Sequence, residues 1–207
     1  GVIVPVLQTL FLTVIVLSVE RWIALSSAQG KGNTSKFVAE IKKLLSENKI
    51  DAAMELCKKQ RGSVASVVYN TLVKYKEMDA NTVLSKEQKL TTLRNEVEEA
   101  TALEMPSLTQ NLPVVASLTT LGTLVGLLGT VMGMIKSFSA LASGDGAADS
   151  QALSTGISEA LVNTASGILV GALAVIAYNY FDVKINDITY KINEAGAVIV
   201  ATFENKY

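Results

Sequence analysis

Charge is almost absent from three stretches of this chain, residues 2–17, 105–135 and 160–181. A hydrocarbon core of about 30 Å needs roughly 20 helical residues at 1.5 Å each, and the second and third stretches meet that length. The first runs on towards Glu20-Arg21-Trp22, and Pro5 is tolerable in a first helical turn. Charged residues make up only 18% of the sequence, against about 25% in an ordinary soluble domain. The deficit lies in the three stretches, while the segment between the first two is as charged as a soluble protein. Few prolines, three in all, and no alternating segments of roughly ten residues leave helices rather than a barrel as the spanning elements. The expected fold is an all-α membrane protein with three transmembrane helices and long cytoplasmic helical extensions.

The boundaries that follow are residues 1–24 for the first span and 25–110 for a cytoplasmic helical domain leading into the second. The second span is 111–141, an outer loop 142–152, the third span 153–183 and a cytoplasmic C-terminal helix 184–207. The first stretch lacks a basic leader and a small-residue cleavage site, so it does not read as a signal peptide. The abrupt start at Gly1 leads us to expect preceding residues. Arg21 and Trp22 read as an interfacial anchor, the ring at the headgroups and the guanidinium snorkelling out. Tyr178, Tyr180 and Phe181 resemble half of an aromatic belt.

Orientation comes from the short loops. The 142–152 loop holds Asp145 and Asp149 and no Lys or Arg, whereas Arg21, Lys31 and Lys36 follow span one and Lys184 and Lys191 follow span three. The positive-inside rule puts that loop outside and the middle and C-terminal segments inside, an N-out, C-in topology.

The chain has no histidine, and Cys57 is its only cysteine. That removes most zinc sites, a Ser-His triad and intrachain disulfides. Cys57 reads as an inert, reduced cytoplasmic thiol. With a net charge of −1 there is no basic field for nucleic acid. No nucleophile–base pair or phosphate loop is present, so no enzyme activity, cofactor or metal is expected.

The middle segment reads as helices. Thr34 or Ser35 can cap one whose apolar face is Phe37, Ile41, Leu44 and Leu45. A short helix over residues 52–57 follows, with Arg61-Gly62-Ser63 as a break. Val64, Val67, Val68, Leu72 and Tyr75 make another stripe. Ser85 opens a charged helix towards Pro106, and Pro106 and Pro113 are expected bends or interruptions. Ile185, Ile188, Ile192 and Ala195 recur at helical spacing after span three, so that helix should continue.

Polar content inside the spans is where chemistry would lie. Thr119, Thr123, Gly126, Thr130, Gly133 and Ser137 advance by four, three, four, three and four residues, along one helix face. Gly122, Gly126, Gly129 and Gly133 overlap that side, and span three adds Gly167 and Gly171. Small residues let helix backbones approach and threonines can bond across an interface, so helix packing is one reading. A hydroxyl-lined pore is the other, because a hydroxyl both donates and accepts and can hold a water chain without a charge. Glu159 and Asn163, four apart, share a face of span three. An ionisable residue within a span is by default a functional hypothesis, its alternative being a hydrated place at the outer interface. Lys136 reads as a snorkelling headgroup contact.

At these spans the sequence becomes specific. Gly126-Leu127-Leu128-Gly129-Thr130-Val131-Met132-Gly133-Met134-Ile135 followed by Ser137-Phe138 resembles the second-span motif of the MotA/TolQ/ExbB proton-channel family. Gly156-Ile157-Ser158-Glu159-Ala160-Leu161, Thr164-Ala165-Ser166-Gly167 and Ala174-Val175-Ile176-Ala177-Tyr178-Asn179 resemble its third-span motif. Specificity is high over residues 126–179 and low in the middle domain. Three spans suit ExbB and TolQ better than the four-span flagellar stator, and the short outer loop and compact middle domain favour ExbB over TolQ.

The resemblance implies a ring-like homo-pentamer in the bacterial inner membrane enclosing two ExbD-like helices, with motion delivered through a TonB-like protein. It also implies that Thr130 and Thr164 are pore-lining and that Glu159 is the family's third-span glutamate. Asn163 and Thr123 join the expected proton pathway. Three departures bear on helix shape and water access: Asn163 stands where the family is small and apolar, and Leu173 and Thr123 stand where proline is frequent. A non-conducting helical scaffold is the competing class.

Overall fold

The computed structural model describes residues 2–143 and 147–206. Residues 144–146 at the centre of the expected outer loop, with Asp145, lie outside the described residues, as do Gly1, Tyr207 and the side chain of Asp149. The described residues form seven helices and no strand: α1 (Ile3–Ala28), α2 (Thr34–Ser46), α3 (Ile50–Gln60), α4 (Gly62–Ala80), α5 (Lys86–Thr109), α6 (Leu112–Ser143) and α7 (Ala147–Lys206). Among the described residues, three stretches are long and apolar enough to cross a membrane, with peak mean hydropathies of 2.1, 1.8 and 2.0. Only 11%, 28% and 33% of the residues in those windows are buried within the chain, so most of their apolar surface needs lipid or another subunit. Two compact units emerge: Gly1–Arg21 with Asn111–Phe181, and Trp22–Gln110 with Asp182–Tyr207.

In the first unit, α1, α6 and α7 share an apolar cluster of Val14, Leu118, Val170 and Ala174, flanked by Leu10, Phe11 and Leu17. Both α6 and α7 are helical through Thr123 and Leu173. Arg21 corrects the expectation of a snorkelling anchor. Its side chain is 1% exposed, and its Nε and Nη2 donate to the two oxygens of Glu20 at 2.6 and 2.5 Å. Asn111 Nδ2 donates to the same carboxylate at 3.2 Å. A charge removed from water demands a hydrogen-bonded counter-charge, and Glu20 supplies it where the headgroups were expected to. Trp22, 59% exposed, keeps the place of an exposed ring.

The interruption before α6 falls at Gln110–Asn111, where Asn111 takes φ +60. Neither proline makes it. Pro106 is carried inside α5, and Pro113 is the second residue of α6, where a missing N–H breaks no helical bond.

The second unit is a helical assembly with its own core. The stripe Val64, Val67, Val68, Leu72 and Tyr75 is buried, as are Phe37, Ile41 and Leu45; Val38 is buried beside them and Leu44 only half so. The cap of α2 is Asn33, whose Oδ1 accepts from the Ser35 and Lys36 amides at 2.9 and 3.3 Å, instead of Thr34 or Ser35. Thr34 is instead buried. The expected 52–57 helix is longer, Ile50–Gln60, and the break is confined to Arg61 (φ +58), since Gly62 and Ser63 already belong to α4. Ser85 opens α5 in a capping box with Gln88. Ile185, Ile188, Ile192 and Ala195 are buried in the C-terminal half of α7, followed by Ile199 and Phe203. The Phe203 ring meets Tyr75 edge-on, centroids 4.9 Å apart. Lys206 Nζ donates to Asp79 at 2.7 Å.

Gly30 and Gly62 meet backbone to backbone. A Cβ on Gly62, which has φ +84, would lie 2.6 Å from the Gly30 nitrogen. Gly32 has φ +93 and open space around it. Gly32→Ala should therefore cost only left-handed strain, about 1–2 kcal/mol. Gly62→Ala should cost distinctly more, read as a larger fall in the thermal unfolding midpoint of the purified protein; equal falls would show that the close approach is unimportant.

Candidate functional site

The site starts from backbone contact. The small residues of α6 and α7 form one seam in which side chains would collide. A Cβ on Gly126 would fall 2.9 Å from the Cα of Gly167, on Gly122 2.9 Å from Val170 Cγ1, and on Gly133 2.7 Å from Ala160 Cβ. On Gly171 it would fall 2.7 Å from the Thr119 carbonyl oxygen, and on Gly129 2.7 Å from the Asn163 Cβ. The four glycines of α6 thus face α7 directly. In a bilayer this close fit supplies the van der Waals attraction that hydrophobic burial cannot. Ser137 extends the seam: it is buried, donates to Gly133 O at 3.0 Å and packs on Gly156.

Thr130 and Thr164 meet at one edge of the seam. Their hydroxyls hydrogen-bond each other, and each lies close to the Gly126 carbonyl, at 3.3 Å for Thr130 and 3.4 Å for Thr164. Both are half-buried. Thr130 also borders an open, mainly apolar concavity on α6 with Leu127, Val131 and Met134. Thr130 therefore has one side against the seam and one side open.

The other sequence-derived residues lie elsewhere. Asn163 is buried on the side of the seam towards α1: Ile3 of α1 and Asn163 both lie beside Gly129. Glu159, one turn away, is half-buried in an open cavity of about 570 Å³ with Ser154, Thr155 and Ser158. The Lys136 ammonium stands 3.8 Å from its carboxylate and is 76% exposed, an ion pair too long for a hydrogen bond. Thr123 is exposed; its hydroxyl reaches the Thr119 carbonyl at 3.4 Å and sits over Gly171. The structure thus brings Thr130 and Thr164 together, sets Glu159 and Asn163 in a second place, and leaves Thr123 apart from both.

Gln8 and Ser166 were not singled out from the sequence. They line a groove between α1 and α7 together with Asn163. Gln8 is the one amide in the uncharged run 2–17, and that exception was the available signal. Among the described residues, no group of three or more His, Cys, Asp or Glu side chains is placed to hold a metal ion.

Comparison with known proteins matches the sequence of this chain to a family. Residues 60–194, well over half of the chain, match the model of the MotA/TolQ/ExbB proton channel family. The chain belongs to that family. It is a multi-pass membrane protein. The putative biopolymer transport protein ExbB-like 3 of Synechocystis sp. is 37% identical over 92 residues, 44% of this chain and 44% of that protein. The Tol-Pal system protein TolQ of Haemophilus influenzae is 39% identical over 85 residues, covering 41% of this chain and 37% of that protein. TolQ of Pseudomonas aeruginosa is also 39% identical over 85 residues, 41% of this chain and 36% of its own. The chain thus spans less than half the length of the curated relatives it matches, and these carry both ExbB-like and TolQ names.

Two measurements follow from the geometry. Burial pushes the Cys57 thiol up to about 12, so the reactive thiolate is scarce at pH 8. Maleimide should leave Cys57 unmodified in the folded protein and modify it within minutes in guanidinium; rapid native labelling would contradict that burial. A double-mutant cycle of Thr130→Val and Thr164→Val should give a coupling of about 0.6 kcal/mol in detergent unfolding, the usual scale for a hydrogen bond between membrane helices. Additive losses would mean the hydroxyls do not interact.

Proposed function

We propose that this chain is the channel subunit of a proton-motive-force-driven complex of the bacterial inner membrane, ExbB-like in role. In this reading several copies, five by resemblance, form a ring around two ExbD-like helices and energise outer-membrane transport through a TonB-like protein. The chain sits N-out and C-in, it is not an enzyme, and it needs no cofactor. The observation carrying the reading is the Thr130–Thr164 hydroxyl pair, on the two spans that hold the family motif, with an open side.

The physical case is one of division of labour. Threonine does not titrate near neutral pH, so the pair can orient and relay hydrogen bonds but cannot hold a proton. Near the motif the third span offers the carboxylate of Glu159, and a relay needs a second. An acidic side chain on a partner helix fills that role, and its neutralisation lets the helix pass an uncharged hydroxyl wall. One elementary charge crossing 100 mV yields about 2.3 kcal/mol, so a few protons suffice to drive a rotation or shift.

Relatives named TolQ support a second reading, a subunit of a Tol-Pal envelope system. Deleting the gene separates the two: loss of iron-complex uptake favours the ExbB role, and leakage of an otherwise intact envelope favours the TolQ role. Within either, Thr164→Val should cut energised activity at least tenfold while the complex keeps its native mass. Wild-type activity in Thr164→Val, with Glu159→Gln affecting assembly alone, would favour a non-conducting scaffold.

A further inference from the structure

Asn163 faces a different space from the threonine pair. Its side chain is 3% exposed, and among the described residues its amide oxygen has no hydrogen-bond partner. Gly129 makes the room: the amide nitrogen is the end nearer that glycine, 3.0 Å from where a Cβ would stand. A polar atom in a membrane span has no bulk water to fall back on, and leaving it unpaired is costly.

Two cavities share Asn163 in their walls. The first, about 430 Å³, lies between α1 and α7; it is mostly apolar, with Gln8 and Ser166 as its other polar side chains. The second, about 570 Å³, carries Glu159 with Ser154, Thr155 and Ser158. Val4, Val162 and Asn163 border both. The concavity beside Thr130 shares no residue with either. A site that holds water needs room for about one water and two to four polar partners; the two cavities supply the room, and Asn163 with Gln8 and Ser166 in one and with Glu159, Ser154, Thr155 and Ser158 in the other supplies polar walls.

We propose that Asn163 is a water-binding residue, and that it joins the Glu159 cavity to the α1–α7 groove as a hydrated branch separate from the Thr130–Thr164 edge. The Asn163 oxygen accepts from a water whose remaining bonds go to the serine hydroxyls and Glu159 on one side or to Gln8 and Ser166 on the other. The branch requires the three spans to sit in a membrane but does not depend on proton-driven transport.

Cysteine accessibility tests it in the complete complex in membrane vesicles, on a Cys57→Ala background. The probe is the membrane-impermeant 2-(trimethylammonium)ethyl methanethiosulfonate. Ser166→Cys should react at least tenfold faster than Ile168→Cys, which points away from the groove. Adding Asn163→Leu should slow Ser166→Cys at least tenfold while Ser154→Cys, on the Glu159 side, keeps its rate. Equal rates at positions 166 and 168 would overturn the proposal, and that comparison needs no change at Asn163 that could disturb assembly. A Ser166→Cys rate unaffected by Asn163→Leu would overturn it as well. Energised transport, assayed in the same vesicles, separates the two readings: lost transport with fast Ser166→Cys labelling counts against the channel role alone, and slow labelling with transport intact counts against the branch alone.

Discussion

Close approach of the α6 and α7 backbones is the constraint on which the membrane-spanning part depends. Lipid tails are as apolar as leucine, so two spans gain little by burying leucine against each other. They gain by fitting, and fitting is what Gly122, Gly126, Gly129 and Gly133 permit against Gly167, Gly171 and Ala160. The large apolar side chains accordingly point outward: Leu124, Leu127 and Leu128 on α6 and Leu161, Ile168 and Ile176 on α7 are all exposed. The Thr130 and Thr164 hydroxyls meet because the seam is tight. Two threonines a full side chain further apart could not share a hydrogen bond.

The second unit works by the opposite rule. Its helices bury aliphatic and aromatic side chains against one another, Tyr75 and Phe203 among them, and hold many of their charges in short pairs such as Lys74–Glu77 and Lys58–Glu55. Such exposed pairs contribute little individually, so the unit's order comes from its core and from its caps. One chain thus contains two solvents' worth of design, and the boundary between them falls in the sequence where charge returns.

Much of this was legible before the structure. Freedom from charge over span length identifies membrane helices because the cost of a charge in hydrocarbon is large and has few remedies. The packing role of the glycines was readable too, since their spacing alone puts them on one face. What the sequence could not reveal was which neighbour a face meets. Periodicity set Asn163 and Glu159 on a common side of α7, but only the presence of α1 beside Gly129 separates that side from the threonine edge. The Glu20–Arg21 pairing was hidden for a similar reason: adjacent helical residues do not normally face each other, and Asn111, remote in sequence, completes the cluster. Asn33 escaped notice because Asn33-Thr34-Ser35 offers three good cap residues in a row, and which one caps depends on where the loop from α1 arrives.

The threonine pair has one more consequence. Both hydroxyls lie within reach of the same Gly126 carbonyl and of each other, so either can give its proton to that oxygen while its fellow gives to it. Swapping the two roles takes only a twist about two C–O bonds and displaces no heavy atom. In either arrangement both protons stay engaged inside the pair, so the face it turns outward offers hydroxyl lone pairs, which can accept from a neutral acid while the wall keeps its shape.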